Sequence, residues 1–305
     1  MNLRPIRPGE VPPKHPYSFP DELPRLLPRK PDSHKGDFGR CLIVGGSLGM
    51  AGAAALSGMA SLRTGCGLVR IAVPRSCQPT VAAFDPSCMT LALAEDAEGR
   101  IALSAADAIF AAAQTASHIA VGPGLGRSPE LDKLVARLYT ELKQPAVFDA
   151  DALNSLAEQP EALRNPGGPR VLTPHPGEFR RLLAGRDPGA RVAYHNEART
   201  LASNNKVTVV LKGYRTFVTD GNRSYINNTG NPGMATAGMG DVLTGVIVGL
   251  MCQGLNAYDA ARLGTYVHGH AGDAVADEIG QLSIIATDVI RALPNSLRHV
   301  VKSNN

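Results

Sequence analysis

The chain has 305 residues, 44% hydrophobic and 19% charged, with 32 glycines, 5% aromatic residues and no tryptophan. It is long enough to bury a sizeable core, packed from small side chains rather than built around large rings. A net charge of +4, with no run of like charges, is too small to argue for a nucleic-acid binder and is compatible with an anionic small ligand.

Residues 1–31 hold nine prolines, a density that rules out long helices and central strands. They read as an extended N-terminal arm, packed on the surface or on a neighbouring subunit. Residues 32–298 read as one domain, because no linker or internal repeat interrupts them. Short apolar runs rich in β-branched residues predict strands at 41–46, 68–73, 118–122, 146–150, 170–174 and 207–213. "RTFVTD" and "RSYINN", joined through "DGN" at 220–222, predict an antiparallel hairpin. Helical stretches fall at 51–63, 103–114, 128–143, 151–158, 177–184, 189–204, 240–253, 257–276 and 285–293. Strand–helix alternation of this kind defines an α/β fold: a mostly parallel central sheet with helices on both faces.

The five cysteines, Cys41, Cys66, Cys77, Cys88 and Cys252, are odd in number and include no CxxC pair. Neither a zinc site nor a disulfide framework is expected, and the usage fits a reducing cytoplasm. No signal-peptide pattern and no uninterrupted apolar run of about 18 residues suggests a membrane.

In α/β folds, ligands gather beyond the carboxyl ends of the strands. The loop "GGSLGMAG" (45–52) follows a strand and opens a helix of small residues, a setting suited to a phosphate. Its glycines do not fit G-x-G-x-x-G, and the next strand ends without an acidic residue, so a Rossmann dehydrogenase is disfavoured. The small residues alone would also serve tight helix–sheet packing. "VGPGLG" (121–126) lets backbone approach a ligand without a Cβ in the way. In "VFDADALN" (147–154), one of Asp149 and Asp151 is expected to cap the following helix, leaving the other for a ligand hydroxyl or a metal-bound water. His175 in "LTPHPGEF" is stiffened by prolines on both sides, and Glu178 falls in the first turn of the next helix. Lys212 ends a strand, where an ammonium is costly in a core and useful beside phosphates. In "GMATAGMGDVLTG" (233–245), Gly238 and Gly240 precede Asp241 at the start of a long apolar helix. Free N–H groups at that turn form an anion hole, and the adjacent carboxylate can take the proton of an attacking hydroxyl. An anion hole beside a base is the arrangement that phosphoryl transfer to an alcohol requires. The blander reading of Asp241 is a helix cap after a flexible loop.

The "GxGD" that opens a late apolar helix resembles the ribokinase-like superfamily. Further motifs in the same order narrow it: "HKGDFGRCLIVGGS", "GAAALSGMASLRTGCGLV", "GPGLG", "DADALN", "LTPHPGEF", "LKGYRT" and "NNTGNPGMATAGMGDVLTG". From about residue 30 to about residue 295 the chain resembles the ADP-dependent NAD(P)H-hydrate dehydratases. The resemblance implies phosphorylation of the hydroxyl of (6S)-NADHX or NADPHX by ADP, then loss of phosphate, giving NADH or NADPH and AMP. It implies Asp241 as the catalytic base, also touching the hydrate. Ala53, Gly124 and His175 would line the hydrate site. Lys212, Gly213, Tyr214, Arg215, Thr216 and Gly240 would bind the nucleotide. Mg2+, used with the phosphates, and a homotetramer are implied as well, with no metal ligand assigned in the chain. "TPHPGE" resembles the ADP-using bacterial members. The alternatives are an ATP-using kinase for a small alcohol (hydroxyethylthiazole, pyridoxal or a sugar) and a non-enzymatic nucleotide-binding protein of the same fold.

Overall fold

The computed structural model describes residue 20, residues 22–298, and residues 300 and 301. Most of the arm, residues 1–19 and 21, lies outside these. Its described end packs on its own chain: Leu23 is buried, and the Leu26 N–H donates to the Val300 carbonyl at 3.0 Å.

In chain order the elements are β1 (Arg40–Val44), α1 (Ala51–Arg63), β2 (Leu68–Pro74), α2 (Gln78–Phe84), β3 (Met89–Leu93), α3 (Ala106–Gln114), β4 (His118–Val121), α4 (Pro129–Glu141), β5 (Ala146–Phe148), α5 (Asp151–Ala157), α6 (Pro160–Leu163), β6 (Arg170–Leu172), α7 (Pro176–Leu182), α8 (Arg191–Asn205), β7 (Thr208–Leu211), β8 (Phe217–Thr219), β9 (Ser224–Ile226), α9 (Met239–Cys252), α10 (Ala257–Ile279) and α11 (Ala286–Leu297). The nine strands form one sheet in the order β3-β2-β1-β4-β5-β6-β7-β8-β9. Strands β1 to β7 run parallel, and the β8–β9 hairpin closes one edge antiparallel. This is the expected mostly parallel sheet. The expectation omitted β3, α2 and α6.

Alternation along the strands divides the core in two. Ile43, Ile71, Ala120, Val147, Val171 and Val210 point to one face, under α1, α9, α10 and α11. Leu42, Ala72, Val121, Phe148, Leu172 and Val209 point to the other, under α3, α4, α5, α7 and α8. The small residues of α1 serve a purpose beyond packing on the sheet. They let α9 approach: a Cβ added at Gly245 would meet the Ser57 carbonyl oxygen at 2.2 Å and the Ala60 Cβ at 2.7 Å. Enclosed in this way, α9 is buried over Val242–Cys252 without a polar face, which is why its sequence reads as continuously apolar.

From β1 the chain winds outward through β2 to β3 and then crosses back to place β4 on the other side of β1. That reversal creates a crevice at the carboxyl ends of β1 and β4, where ligands of open α/β sheets sit.

Candidate active site

The crevice is closed by hydrogen bonds between its two loops. The Gly46 N–H donates to the Pro123 carbonyl at 2.8 Å, and Ser47 Oγ donates to the Gly124 carbonyl at 2.8 Å. Gly124 has φ +66, and a Cβ there would lie 2.5 Å from the Met50 carbonyl oxygen and 3.0 Å from the Ala53 Cβ. Only glycine fits this left-handed, crowded position. The structure therefore brings Ala53 and Gly124 together.

A second centre forms where β5, β6 and β7 end. Asp149 is buried, with one oxygen accepting from Lys212 Nζ at 2.7 Å and the other from Thr244 Oγ1 at 2.7 Å. Lys212 Nζ also stands 3.9 Å from Glu178 Oε2. Burial works against the lysine's charge, but Asp149 and Glu178 outweigh it and hold the ammonium's pKa above its ordinary value. Glu178 is pushed up to about 7, chiefly by burial, with Lys212 opposing. Asp241 is also pushed up to about 7, first by burial and then by the charge of Asp149. One ammonium thus faces three carboxylates, and two of them exchange protons near neutrality.

Asp241 does not cap its helix. The cap of α9 is Gly238, at φ +87, and it makes no side-chain capping bond. First-turn N–H groups lack intrahelical partners and carry the positive end of the helix dipole. Lys212 Nζ comes within 3.3 Å of where a Cβ on Gly240 would be, so the ammonium and the helix terminus converge on one point. Ser57 Oγ of α1 donates to the Asp241 carbonyl at 2.8 Å and fixes that turn.

Beside this turn opens a cavity of about 600 Å³. Lys212, Gly213, Tyr214, Arg215, Thr216 and Gly240 all line it, together with the 227–232 loop, Met239 and His268. The whole expected nucleotide set therefore shares one space. Arg215 adopts φ +59, uncommon for a non-glycine residue, in the turn that shapes this wall. Ala53, Gly124, His175 and Asp241 lie outside this lining. The first two sit at the crevice, and Asp241 is on the α9 turn joined to α1 through Ser57.

His175 is the N-cap of α7. Its Nδ1 accepts from the N–H groups of Gly177 (3.0 Å) and Glu178 (3.3 Å), and Glu178 Oε2 accepts its backbone N–H at 2.8 Å. A neutral ring held this way carries its proton on Nε2, which faces Glu178 Oε1 at 3.3 Å. Burial, Lys212 and Arg181 lower its pKa, which favours the neutral form.

The expectation that Asp149 or Asp151 caps α5 is corrected. The cap is Ala150, with φ +51 and no side-chain capping bond. Asp149 is committed to Lys212 and Thr244, and Asp151 accepts the Gly126 N–H at 2.9 Å. Thr244 and Ser57 were missed by sequence reasoning. A lone hydroxyl in the otherwise apolar "VLTGVIVGL" was the available signal, because a buried hydroxyl needs a partner. Among the described residues, no group of three or more His, Cys, Asp or Glu is arranged to hold a metal ion. None of their helices is long and apolar enough to cross a membrane. All five cysteines are free and buried.

A parallel sheet wound in this order, with a glycine-led helix and a carboxylate in its first turn, is the ribokinase-like architecture, and solved structures share it. Residues 41–295 match the family described as NAD(P)H-hydrate dehydratase, and the chain belongs to it. A bifunctional NAD(P)H-hydrate repair enzyme of Moorella thermoacetica is 44% identical over 281 residues, covering 92% of this chain and 52% of that protein. The chain thus spans about half the length of such bifunctional relatives. An ADP-dependent (S)-NAD(P)H-hydrate dehydratase of Neisseria meningitidis is 38% identical over 262 residues, covering 83% of this chain and 82% of that one. The structure of an ADP/ATP-dependent NAD(P)H-hydrate dehydratase of Bacillus subtilis, co-crystallized with ATP/Mg2+, superposes with a TM-score of 0.76 at 27% identity, covering 92% of this chain and 99% of that one.

Proposed function

We propose that this chain repairs hydrated nicotinamide cofactors, using ADP to convert (6S)-NADHX and NADPHX back to NADH and NADPH. The observation that carries the reading is Asp241, a carboxyl poised near neutrality in the uncapped first turn of α9, beside the Lys212 ammonium. Asp241 takes the proton of the hydrate hydroxyl as its oxygen attacks the terminal phosphorus of ADP, and AMP leaves. The α9 N–H groups and Lys212 stabilise the charge that gathers on the transferring phosphoryl group. Phosphate then leaves with its bonding electrons, and loss of a ring proton restores the reduced nicotinamide.

Lys212 to Thr216 and Gly240 would hold the nucleotide, which is supported by the single cavity they share. Ala53, Gly124 and His175 would hold the hydrate. Mg2+ would enter on the nucleotide's phosphates. Asp149, the most buried carboxylate here, already has both oxygens engaged and is not a free ligand. A homotetramer acting in the cytoplasm completes the proposal.

The test is to mix hydrated NADH, Mg2+ and the protein with ADP or ATP in parallel and follow the absorbance of the reduced nicotinamide. Recovery with ADP supports the proposal, and recovery with ATP alone reverses the donor assignment. With neither, the small-alcohol kinase reading takes its place. Family membership favours the dehydratase over that kinase.

A further inference from the structure

The wall formed by residues 227–234 is tied to α10 along one helical stripe. Asn227, buried, donates from Nδ2 to the Thr265 carbonyl at 3.1 Å, and Thr229 Oγ1 donates to the Tyr266 carbonyl at 2.9 Å. The Gly230 N–H donates to Asp273 Oδ2 at 2.8 Å. Asn231 Nδ2 donates to Asp273 Oδ1 at 3.0 Å and to the Gly272 carbonyl at 2.9 Å. The contact requires the helix to be bare: a Cβ on Gly269 would meet Thr229 Oγ1 at 2.3 Å, and one on Gly272 would meet Met234 Sδ at 2.2 Å. Positions 265, 269, 272 and 273 recur at helical spacing, so they share a face. Asp273 itself does not line the cavity.

We propose that α10 is the template that holds this wall in its nucleotide-accepting shape, with Asp273 as a positioning residue acting through Gly230 and Asn231. The inference rests on the cavity being the nucleotide site. A carboxylate is acceptor-only and suits two converging N–H donors. An amide in its place turns its own NH2 toward one of them. Residues 228 and 230 are exposed, while Asn227 is buried and Met234 packs against the core, so Asp273 sets the middle of the loop between two anchored ends. A wall released from its template populates the competent shape less often, and apparent affinity falls by that fraction.

The experiment measures AMP binding by calorimetry, together with KM for ADP and kcat, on the full chain as wild type, Asp273→Asn, Thr229→Val and Thr229→Ser. Asp273→Asn and Thr229→Val are each expected to raise the AMP Kd and the KM for ADP about tenfold, and in Asp273→Asn, which lies off the cavity lining, kcat at saturating ADP is unchanged. Thr229→Ser, which keeps the hydroxyl, restores wild-type values. Unchanged Kd and KM in Asp273→Asn overturn the proposal, as does a fall in kcat with KM unchanged. If the wild type binds neither AMP nor ADP, the reading of the cavity fails and takes this inference with it. Should Asp273→Asn not fold, the Thr229 pair decides alone.

Discussion

Replacing Asp241 with Asn removes the proposed base and a strained charge at once, so it should produce an enzyme that is more stable and nearly inactive. The carboxyl rises from its ordinary 3.8 to about 7 in the folded chain. At about 1.36 kcal/mol per unit, that bounds the cost of holding the folded protein's carboxylate ionised at about 4 kcal/mol. Asp241 is only partly buried, and solvent screening reduces the figure to about 2 kcal/mol. The sign follows from proton linkage. Between the unfolded pKa and about 7 the folded state binds more protons than the unfolded one, so this group's contribution to stability falls as pH rises through that window. Asparagine has no such dependence. Denaturation at pH 5 and pH 8 should therefore show a gain for Asp241→Asn that at the lower pH is about a third of its full size. At the higher pH it should reach about 2 kcal/mol, roughly 3 °C in Tm. Turnover in the cofactor-recovery assay should fall by about 10²–10⁴, while AMP binding persists. A variant less stable than wild type at pH 8, or one equally stabilised at both pH values, would refute the reasoning.

If Asp241 is the base proposed, the wild-type rate should climb with pH along a limb centred near 7, as its carboxylate fills through the raised pKa; a pH–kcat/KM profile checks this. Asp149→Asn leaves Lys212 with Glu178 at 3.9 Å and Asp241 nearby. The loss should therefore be about 2 kcal/mol, below the 3–5 of a fully orphaned buried ion, as read from the denaturant midpoint. His175→Ala removes the cap of α7 and should cost about 1 kcal/mol in the same assay, while raising KM for the hydrate. Gly245→Ala drives a methyl into the Ser57 carbonyl and should cost about 3 kcal/mol or more, visible as a lower Tm.

The central strands were legible because parallel strands covered on both faces read as continuous β-branched runs. β3 was not: "MTLAL" is an edge strand with only Leu93 fully buried. α2 was hidden by its brevity, seven residues with Pro79 near its start. At the site, the glycines and Asp241 stood out because their local chemistry is unusual wherever it occurs. The Lys212–Asp149 bond could not be read, since it joins residues 63 apart that follow the ends of β5 and β7, strands with β6 between them. The same blindness produced the expectation that Asp149 or Asp151 caps α5. Sequence offers the nearest helix terminus as a partner, whereas the fold supplies an ammonium.

The contact between α1 and α9 also limits how this protein can change. Ser57, Ala60 and Thr64 of one helix leave no room for a side chain on Gly245 or Gly249 of the other. Ser57 additionally fixes the Asp241 turn, four residues from where Ala53 adjoins Gly124. A larger residue on either helix would push the Asp241 turn away from α1 before any side chain in the proposed chemistry had been altered. Drift along this seam therefore has no viable single step toward larger residues. It must proceed by paired exchanges, one helix losing volume as the other gains it, and a library that varies both helices together should recover active variants that single-position libraries miss.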